Sequence, residues 1–543
     1  MLFRKDFFLL VINFVILLIP NILYFTQINW LLSEQLELFA ISLIVLLVLL
    51  SLVKKAWIFL VLTLPFVLIV PLEAFYISNY HSFITPHILG IVFDSNSSEI
   101  RDFTQGNELK IFFIYVVLLT SWISGIVSCY KSNLIYNHFS RYLILLIFLP
   151  FIIYTASIHE PTFADYYVYG ETKFEVQRNQ LPDGFYRFEK AFPFGIFVTL
   201  YEFYQETQRF YQLLEHTKNF HFNASRQPLF EEKTRGKPEI YVLVIGESSR
   251  YDRWQLNGYS KPTTPYLAQR QDIVSYEKFY TVAKSSRESI PIMLTRKKAD
   301  DKRFGFHEKS IIDAFNILDF KTHWLSTQMT FGEYDTPISI HAKEAQHLKY
   351  LNNGNFKTDN VYDEVLIKPF QQIVENIKQP EKHFIIIHTL GSHFNYAHRY
   401  PVEFDMFKPS LKNEVFNLHD IALVDKLKNS YDNSILYTDF ILNELLNIMS
   451  NKKDAISWLI YLSDHGVDLF EDGVSSGQGR DSENVFHIPL VFWLSDAYKN
   501  SYPDTVQMIS NNKSQKNTTE LMFDWLCNLA GIQIIDQKGV IAK

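Results

Sequence analysis

The sequence has little cysteine, no excess of basic residues, and neither an internal repeat nor a low-complexity tract. Its two cysteines, Cys129 and Cys527, lie in distant parts of the chain, so no disulfide between them is expected. The formal net charge is −7 at pH 7, which argues against nucleic acid as the main partner, because binding to a phosphate backbone needs a basic surface. A domain of several hundred residues can bury a sufficient core without disulfides.

Long hydrophobic runs are abundant, but they fall almost entirely within the first 160 residues. Five of these runs contain no Asp, Glu, Lys or Arg, and each approaches or reaches the length that crosses a bilayer. The first run follows Arg4 and Lys5, but no cleavage site of small residues comes after it, so it is expected to be retained. We therefore predict five transmembrane helices, at 7–25, 38–53, 56–72, 111–128 and 142–158.

The basic residues that flank these runs predict their orientation. With five spans, all of them fall on one side of the membrane, which the positive-inside rule makes the cytoplasmic side. The chain after residue 158 is then expected to lie outside. The basic residues concerned are Arg4, Lys5, Lys54, Lys55, Lys131 and Arg141.

The rest of the chain divides by its pattern into a bridge and a larger domain. Residues 159–236 are aromatic and charged, with amphipathic helices expected within 188–211. From residue 237 to 543, apolar strands alternate with helices, which predicts an α/β domain with a mainly parallel central sheet flanked by helices. The expected strands are 239–245, 321–325, 384–388, 458–462 and 490–493, and the expected helices are 310–318, 359–376, 423–449 and 518–530.

Two of the predicted strands end in residues that bind metal ions. Glu247 follows the strand 239–245 and a glycine, while Asp464 and His465 follow the strand 458–462. Parallel strands present their carboxyl ends at one edge of a sheet, and carboxylate and imidazole groups there suit a divalent cation. Gly466 permits the sharp turn that lets both Asp464 and His465 face one ion.

Two further segments could reach the same edge. Ser285, Ser286 and Ser289 lie near the start of a helix, where backbone N–H groups favour phosphate and a neighbouring metal can deprotonate a hydroxyl. Any of the three could instead serve as an N-cap. After the strand 384–388, His388 is expected to pack at the strand end, and His393 to contact metal or phosphate or to act as an acid.

With these residues in place, the chain resembles the membrane-bound phosphoethanolamine transferases of Gram-negative envelopes, in the alkaline phosphatase and sulfatase superfamily. The resemblance covers the five-span N-terminal half and most of the remainder. It rests on these ordered motifs: Gly246-Glu247-Ser248, Asn257-Gly258-Tyr259, Thr264-Pro265, Tyr362-Asp363-Glu364-Val365, Gly391-Ser392-His393, Arg399-Tyr400-Pro401, Tyr431-Asp432-Asn433-Ser434, Ser463-Asp464-His465-Gly466 and Ile488-Pro489.

The resemblance implies roles for specific residues. Glu247, Asp464 and His465 would bind a catalytic zinc ion (Zn2+), with Ser286 as the nucleophile and fourth ligand. The family usually has threonine at that place, five residues before a proline, and Ser286 keeps the spacing to Pro291. The substitution leaves Ser285 as the alternative nucleophile. His393 would assist the leaving oxygen.

Other implied sites depart from the family pattern or concern the substrate. Gln328 falls where relatives place an amide-bearing site residue, and Glu99 would contact the ammonium group of the donor. Relatives also carry a histidine about a dozen residues beyond the Asp-His pair, a place for which Arg480 or His487 would have to substitute. Relatives carry several disulfides in the soluble domain, whereas this chain has two cysteines in all.

The implied reaction transfers phosphoethanolamine from phosphatidylethanolamine, through a phosphoserine, to a lipopolysaccharide acceptor. Lipid A phosphate, Kdo, heptose and a periplasmic glucan all remain open as acceptors, and phosphoglycerol transfer from phosphatidylglycerol is the alternative reaction. Sulfate ester hydrolysis is disfavoured because the Cys or Ser-x-Pro-x-Arg segment is absent around Ser286. A catalytically inactive envelope scaffold is the non-enzymatic alternative. The expected protein is a monomer in the bacterial inner membrane with its catalytic domain in the periplasm.

Overall fold

The computed structural model describes residues 5–27, 32–80, 83–84, 89, 108–157, 162–168, 171–178, 191–299, 308–329, 337–352, 361–412, 421–471, 476–477 and 482–535. These residues form two compact units. The first lies within the first 209 residues, and the second is formed mainly from residue 210 onwards. A two-stranded sheet, Thr162–Val168 with Glu171–Arg178, and the helix Gly195–Lys218 come between the last apolar helix and the first strand of the second unit.

Apolar helices make up most of the first unit. Their bounds are Lys5–Gln27, Leu32–Val53, Ala56–Tyr80, Glu108–Lys131 and Ser140–Ser157. Within the described residues, three stretches are long and apolar enough to cross a membrane: Lys5–Phe25, Ala56–Ser78 and Phe112–Lys131.

The prediction of five spans is therefore not confirmed. The apolar stretches Phe39–Val53 and Ser140–Tyr154 are shorter than the other three. Glu34 and Glu37 occupy the first part of the helix Leu32–Val53, so only its later part is apolar. About 20 apolar residues are needed to span the hydrocarbon core without tilting or thinning it.

Polar side chains join the helices inside this unit. The Asn13 amide donates to the Ser121 carbonyl at 3.3 Å and accepts from the Ser121 hydroxyl at 2.9 Å. The Trp122 indole N–H donates to the Leu60 carbonyl at 2.8 Å. A Cβ at Gly125 would lie 2.2 Å from the Asn13 amide nitrogen, so a glycine is needed for this close approach. Small and polar residues hold membrane helices together in this way.

Several of the basic residues that flank the helices lie at one end of this unit. The backbone N–H of Tyr136 donates to the Lys54 carbonyl at 2.8 Å, and Lys55 forms a β-bridge with Ile135. The Arg141 guanidinium donates to the Ser51 carbonyl at 2.6 Å. These contacts place Lys54, Lys55 and Arg141 beside the end of the helix Glu108–Lys131, as the orientation argument expects.

A seven-stranded sheet forms the centre of the second unit. All five predicted strands are present, together with two short strands that were not predicted. The strands are β1 Glu239–Gly246, β2 Ile273–Ser275, β3 Lys321–Met329, β4 His347–Asn352, β5 Lys382–His388, β6 Ile456–Ser463 and β7 Leu490–Leu494, in the spatial order β2-β7-β6-β1-β5-β3-β4.

The sheet is mixed, with four parallel and two antiparallel strand pairs, so the prediction of a mainly parallel sheet is not confirmed in full. Parallel pairs join β6 to β1, β1 to β5, β5 to β3 and β3 to β4, while β7 runs antiparallel to both of its neighbours. A parallel neighbour needs a crossover that returns the chain to the other end of the sheet. Between β6 and β7 the described residues contain two two-residue strands, Asp468–Leu469 and Ser476–Gly477, and the four-residue helix Glu483–Phe486, and none of these crosses to the other end of the sheet. The strand β7 therefore enters the sheet at the end where β6 leaves it.

Both faces of the sheet are buried, which explains why its central strands are continuously apolar. Along β1, alternate side chains enter two different cores, Tyr241 and Leu243 on one face and Val242 and Val244 on the other. The helix Ser286–Leu294, called the Ser286 helix below, packs on the first face through Ile290, Met293 and Leu294. The long helix Val424–Asn451 covers the second face through Tyr431, Ile435, Leu442 and Leu445.

The remaining described elements complete these layers. The other helices of the second unit are Pro228–Thr234, Pro265–Ala268, Ile311–Ile317, Pro337–Lys343, Ile367–Asn376, Asp496–Ser501, Pro503–Asn512 and Met522–Leu529. Three two-stranded sheets pair Ala224–Arg226 with Ile532–Ile534, Asp468–Leu469 with Ser476–Gly477, and Phe279–Tyr280 with Asn517–Thr518.

Candidate metal centre and active site

The strand register brings the predicted metal ligands to one edge of the sheet. Gly246, the last residue of β1, lies opposite Ser463, the last residue of β6. Glu247 and Asp464 are therefore the next residues at the same level of two adjacent parallel strands. Both are buried, with relative exposures of 1% and 0%.

Glu247, Asp464 and His465 converge on one point. The His465 Nε2 atom lies 3.4 Å from Glu247 Oε1 and 3.4 Å from Asp464 Oδ2. One ligand atom from each of the three residues lies within 4.8 Å of the other two. This metal triad is the convergence that the sequence predicted.

Hydrogen bonds orient the ligand atoms of the triad. The His465 Nδ1–H donates to the Gly466 carbonyl at 2.8 Å, so Nε2 is the ring nitrogen directed at the two carboxylates. Asp464 Oδ1 accepts from the backbone N–H groups of Ser248 and His465 at 3.0 and 2.7 Å. Asp464 Oδ2 is buried and has no hydrogen-bond partner among the described residues. An unpaired buried carboxylate oxygen is costly unless a cation binds it.

Burial and neighbouring charges shift the pKa values of the triad. Burial and the negative charge of Glu247 both raise the pKa of Asp464. Burial also acts to raise the pKa of Glu247, but the charges of His465 and His393 and a hydrogen bond from Ser248 leave that pKa below its ordinary value. Burial acts to lower the pKa of His465, and the two carboxylates more than offset it, so that pKa is raised.

The donor set fits a small divalent cation such as zinc. Two carboxylates, one imidazole and one hydroxyl are oxygen and nitrogen ligands of the kind that zinc takes in tetrahedral sites. With bonds of about 2.0–2.1 Å, the edges of such a tetrahedron are about 3.3–3.4 Å long. The separations from His465 Nε2 to Glu247 Oε1, Asp464 Oδ2 and Ser286 Oγ are each 3.4 Å.

Ser286 supplies the hydroxyl of this set. Its Oγ lies 3.0 Å from Glu247 Oε2 and 3.4 Å from His465 Nε2. Ser285 is the N-cap of the Ser286 helix and has an extended backbone, φ −146° and ψ 153°, whereas Ser286 is its first helical residue. The Ser289 hydroxyl donates to the Asp464 carbonyl at 2.7 Å and so fixes the helix against the end of β6.

A loop after β5 supports Glu247 from the other side. Gly391 has a φ of +46°, and a Cβ there would lie 2.9 Å from both the backbone nitrogen and the carbonyl oxygen of Glu247. The Ser392 N–H donates to the Glu247 carbonyl at 2.9 Å. Asp363 holds this loop by accepting the N–H groups of Leu390 and Gly391, each at 2.9 Å.

The structure places Gln328 at the site and brings His393 within electrostatic reach of Glu247. The Gln328 amide donates to the Thr389 carbonyl at 2.9 Å and lies 3.5 Å from Glu247 Oε2. His393 is half-buried, and its Nδ1–H donates to the Phe394 carbonyl at 2.7 Å. A positive charge on His393 acts to lower the pKa of Glu247.

Other sequence candidates lie elsewhere or outside the described residues. His388 packs at the end of β5 against Trp324, as predicted, and burial lowers its pKa to about 4. In the part of the chain that the structure describes, no group hydrogen-bonds to its Nε2. The His487 ring stacks between Tyr251 and Tyr280, and its Nε2–H donates to the Glu277 carbonyl at 2.9 Å, so that nitrogen is not available as a ligand. Glu99 and Arg480 lie outside the described residues.

Sequence reasoning gave no role to three residues that shape the site. Ser248, with a φ of +58°, donates its hydroxyl to Glu247 Oε1 at 2.6 Å. The Tyr431 hydroxyl donates to the Ser248 carbonyl at 2.7 Å and accepts the Arg250 N–H at 2.9 Å. Asp363 and Tyr431 belong to motifs that the sequence analysis recognised, and this membership was the signal that could have pointed to a role. Their hydrogen-bond partners, however, are distant in the sequence.

Comparison with known proteins agrees with this architecture. Residues 239–529 match the sulfatase family. Phosphoethanolamine transferase EptC of Escherichia coli strain K12 is 28% identical over 357 residues, which cover 64% of this chain and 59% of that protein. Phosphoethanolamine transferase EptA of Salmonella typhimurium strain LT2 is 27% identical over 321 residues, covering 57% of this chain and 56% of that protein. The chain thus spans little more than half the length of these relatives.

Solved structures show the same fold. The C-terminal periplasmic domain of Escherichia coli EptC, in complex with Zn, matches with a TM-score of 0.51 at 24% identity and covers 58% of this chain and 86% of that one. The integral membrane protein lipooligosaccharide phosphoethanolamine transferase A from Neisseria meningitidis matches with a TM-score of 0.67 at 19% identity over 96% of this chain and 95% of that one. The resemblance inferred from the motifs is confirmed.

Proposed function

The chain belongs to the sulfatase family, and from that premise we propose that it transfers phosphoethanolamine from phosphatidylethanolamine to a lipopolysaccharide acceptor in the bacterial inner membrane. Similarity to EptC and EptA supports the transferred group. The class of acceptor is supported by the similarity to the lipooligosaccharide phosphoethanolamine transferase A of Neisseria meningitidis. The three span-length helices support a membrane location. Similarity to the periplasmic domain of EptC supports a periplasmic location for the sheet unit. A lipid donor remains in the bilayer, so an enzyme anchored there need not extract two acyl chains.

The position of the Ser286 hydroxyl is the observation that carries the proposal. It is 3.0 Å from Glu247 and 3.4 Å from His465, at the first residue of a helix. Backbone N–H groups at a helix start and its dipole favour a phosphoryl group beside the hydroxyl. Ser286 is accordingly the nucleophile, whereas Ser285 occupies the extended N-cap position before the helix.

Zinc is the proposed cofactor, held by Glu247, Asp464, His465 and Ser286. The zinc in the related EptC domain supports this identity. The unpaired Asp464 Oδ2 and the 3.0–3.4 Å separations between donor atoms fit such an ion. When bound, zinc lowers the pKa of the hydroxyl and neutralises charge that develops on the phosphoryl oxygens.

The residues of the chain perform the transfer in two steps. Ser286, whose proton has left to solvent, forms an Oγ–phosphorus bond while the bond from phosphorus to the diacylglycerol oxygen breaks. The diacylglycerol oxygen takes a proton from His393. An acceptor oxygen then attacks the same phosphorus, any proton it carries passes to His393, and Ser286 Oγ is released. Gln328 is proposed to orient the substrate beside Glu247; Glu99 and Arg480 are proposed as further substrate contacts on sequence alone.

The proposal is tested by mass spectrometry of lipopolysaccharide from a strain that lacks the gene and is complemented with variants. Wild type, Ser285→Ala and Ser286→Thr are expected to restore a mass increment of one phosphoethanolamine group, because each keeps a hydroxyl at position 286. Ser286→Ala is expected to lose it. Fragment ions of the lipopolysaccharide show whether the added mass lies on lipid A or on the core sugars.

Two outcomes would contradict the proposal, provided that each variant is present at the level of the wild-type protein. If Ser286→Ala gave an undiminished mass increment, Ser286 would not be the nucleophile. That result would support the alternative that the protein is a scaffold without catalytic activity of its own. Transfer of label from phosphatidylglycerol, but not from phosphatidylethanolamine labelled in its head group, would replace the reaction by phosphoglycerol transfer.

A further inference from the structure

The central sheet carries a second group of imidazoles at the end opposite to the metal triad. His383 is the second residue of β5 and His323 is the third residue of β3, so both lie near the amino ends of these parallel strands. Five residues separate His383 from His388, which pairs with Ile245 beside the catalytic edge. At about 3.3 Å per residue, the two ends are roughly 17 Å apart along the strand.

The two rings face each other closely. His323 Nε2 lies 3.1 Å from His383 Nδ1, and the ring planes differ by 8°. Both side chains are largely buried, with relative exposures of 9% for His323 and 5% for His383. His347, on the edge strand β4, is exposed and stacks on His323 with ring centroids 4.8 Å apart. Solvent therefore reaches the group from the side of the edge strand.

A carboxylate fixes the tautomer of His383. His383 Nε2 lies 3.3 Å from Glu381 Oε2, and a carboxylate can only accept, so Nε2–H donates. A hydrogen bond from Lys321, at 2.7 Å, lowers the pKa of Glu381 to about 2 and keeps this carboxylate ionised. In neutral His383, Nδ1 then presents its lone pair toward His323. A carboxylate on the far nitrogen is the usual orienting contact of a metal-binding histidine.

We propose that His323 and His383 form a second metal site, which takes a borderline transition-metal dication with Cu2+ preferred, through Nε2 of His323 and Nδ1 of His383. Nitrogen ligands at about 2.05 Å and 3.1 Å apart subtend an angle of about 100°, between the square-planar and tetrahedral values. The single proton of neutral His323 moves from Nε2 to Nδ1 when the ion binds. Water completes the coordination sphere.

The protonation state of both rings suits this role. Burial lowers the pKa of His323 to about 3 and also lowers that of His383. Both are therefore neutral at pH 7, the form in which imidazole binds metals. Imidazole pairs bind copper more tightly than zinc or nickel, following the general order of affinities for divalent ions. This site is independent of the transfer reaction.

Copper binding by the purified full-length protein in detergent tests the site. Copper is titrated in the Asp464→Asn background, which weakens the metal triad, and paramagnetic resonance reports nitrogen coordination. We expect one copper ion bound with two nitrogen ligands. His383→Gln removes it, and Glu381→Gln weakens it by about 10–100-fold because the imidazole loses its orienting contact.

His341→Gln is the matched control. His341 Nδ1 lies 3.1 Å from a Glu344 carboxylate oxygen, like the His383 pair, but the described structure places no second imidazole against it. Its copper binding should equal that of the parent. Equal copper stoichiometry with and without His383→Gln, or a spectrum without two nitrogen ligands, overturns the proposal. Should His383→Gln fail to fold, the affinity change in Glu381→Gln decides the outcome.

Discussion

At the scale of single residues, the site concentrates negative charge away from water. Glu247 and Asp464 are both buried and share one imidazole, His465, as their immediate positive partner. Burial and the charge of Glu247 raise the pKa of Asp464, which is the expected sign of like-charge repulsion in a dry site. A divalent cation relieves that repulsion, so metal binding and stability of this edge of the sheet are coupled.

Asp464→Asn should therefore separate stability from metal binding. In chelator, we expect the variant to unfold at the wild-type temperature or above it, because one of two repelling carboxylates is gone. Added zinc should raise the wild-type midpoint by the equivalent of about 2.7 kcal/mol at 100 times the dissociation constant, and raise the variant's far less. Thermal unfolding of both proteins with zinc and with chelator provides the measurement.

Asp439→Asn serves as the control for this comparison. Asp439 is also a buried carboxylate, but it accepts the backbone N–H groups of Tyr266 and Leu267 at 2.8 and 3.0 Å. Its replacement should alter stability equally with and without zinc. An Asp464→Asn protein that responds to zinc as strongly as wild type would remove Asp464 from the proposed ligand set.

The sequence predicted the chemical types at this site better than the exact atoms. Residues that directly follow apolar strands are forced to a common edge, so the meeting of Glu247 with Asp464 could be predicted. The choice between Ser285 and Ser286 could not, because it depends on where the backbone changes from extended to helical. Asp363 and Tyr431 received no role because their hydrogen-bond partners are distant in the sequence. Ser248 received none because its hydroxyl contact with the neighbouring Glu247 depends on the local backbone conformation.

At the scale of elements, a loop as well as a strand fixes the backbone of Glu247. Gly391 approaches that backbone with a φ of +46°, and a methyl group there has no room. Asp363 accepts two N–H groups of the same loop and holds it in place. The carboxylate of Glu247 is thus positioned by the end of β1 below and by this loop at its side.

Gly391→Ala is predicted to weaken zinc binding by about tenfold and to lower transfer activity, because the added methyl displaces Glu247. Gly236→Ala is the matched control. Gly236 also has a positive φ, +76°, but a Cβ there meets nothing within 4 Å. Both variants are expected to lose about 1 kcal/mol of folding stability, because alanine must adopt a positive φ at either position. Only Gly391→Ala should change the affinity for zinc. Equal zinc affinity in the two proteins would contradict the supporting role of the loop.

Strand positions, but not all strand directions, followed from apolar runs. Four of the five predicted strands are almost continuously apolar, because both faces of the sheet are buried, whereas β3 begins with Lys-Thr-His. β4, with the sequence His-Leu-Lys-Tyr-Leu-Asn, is partly exposed at the sheet edge and gave no such run. The reversal of β7 could not be predicted either, because an apolar run carries no direction and the decisive feature is a connection without a crossover.

At the scale of the whole molecule, a helical unit and a sheet unit occur in one chain. Hydrophobic runs predicted all five apolar helices of the first unit, but length sets three of them apart as candidate spans. The absence of charged residues was the criterion for predicting a span, and all five runs met it. The three candidate spans differ from the other two helices in the length of their apolar stretch. The family match covers residues 239–529, which include the metal triad and Ser286.

The most direct test of the account is to trap the covalent enzyme. Purified full-length protein, loaded with zinc, is incubated with phosphatidylethanolamine labelled in its head group and without acceptor, then digested and analysed by mass spectrometry. The account predicts one labelled phosphoethanolamine group on Ser286, absent from Ser286→Ala and from a reaction with labelled phosphatidylglycerol. Label on another residue, or label that persists in Ser286→Ala, would contradict it.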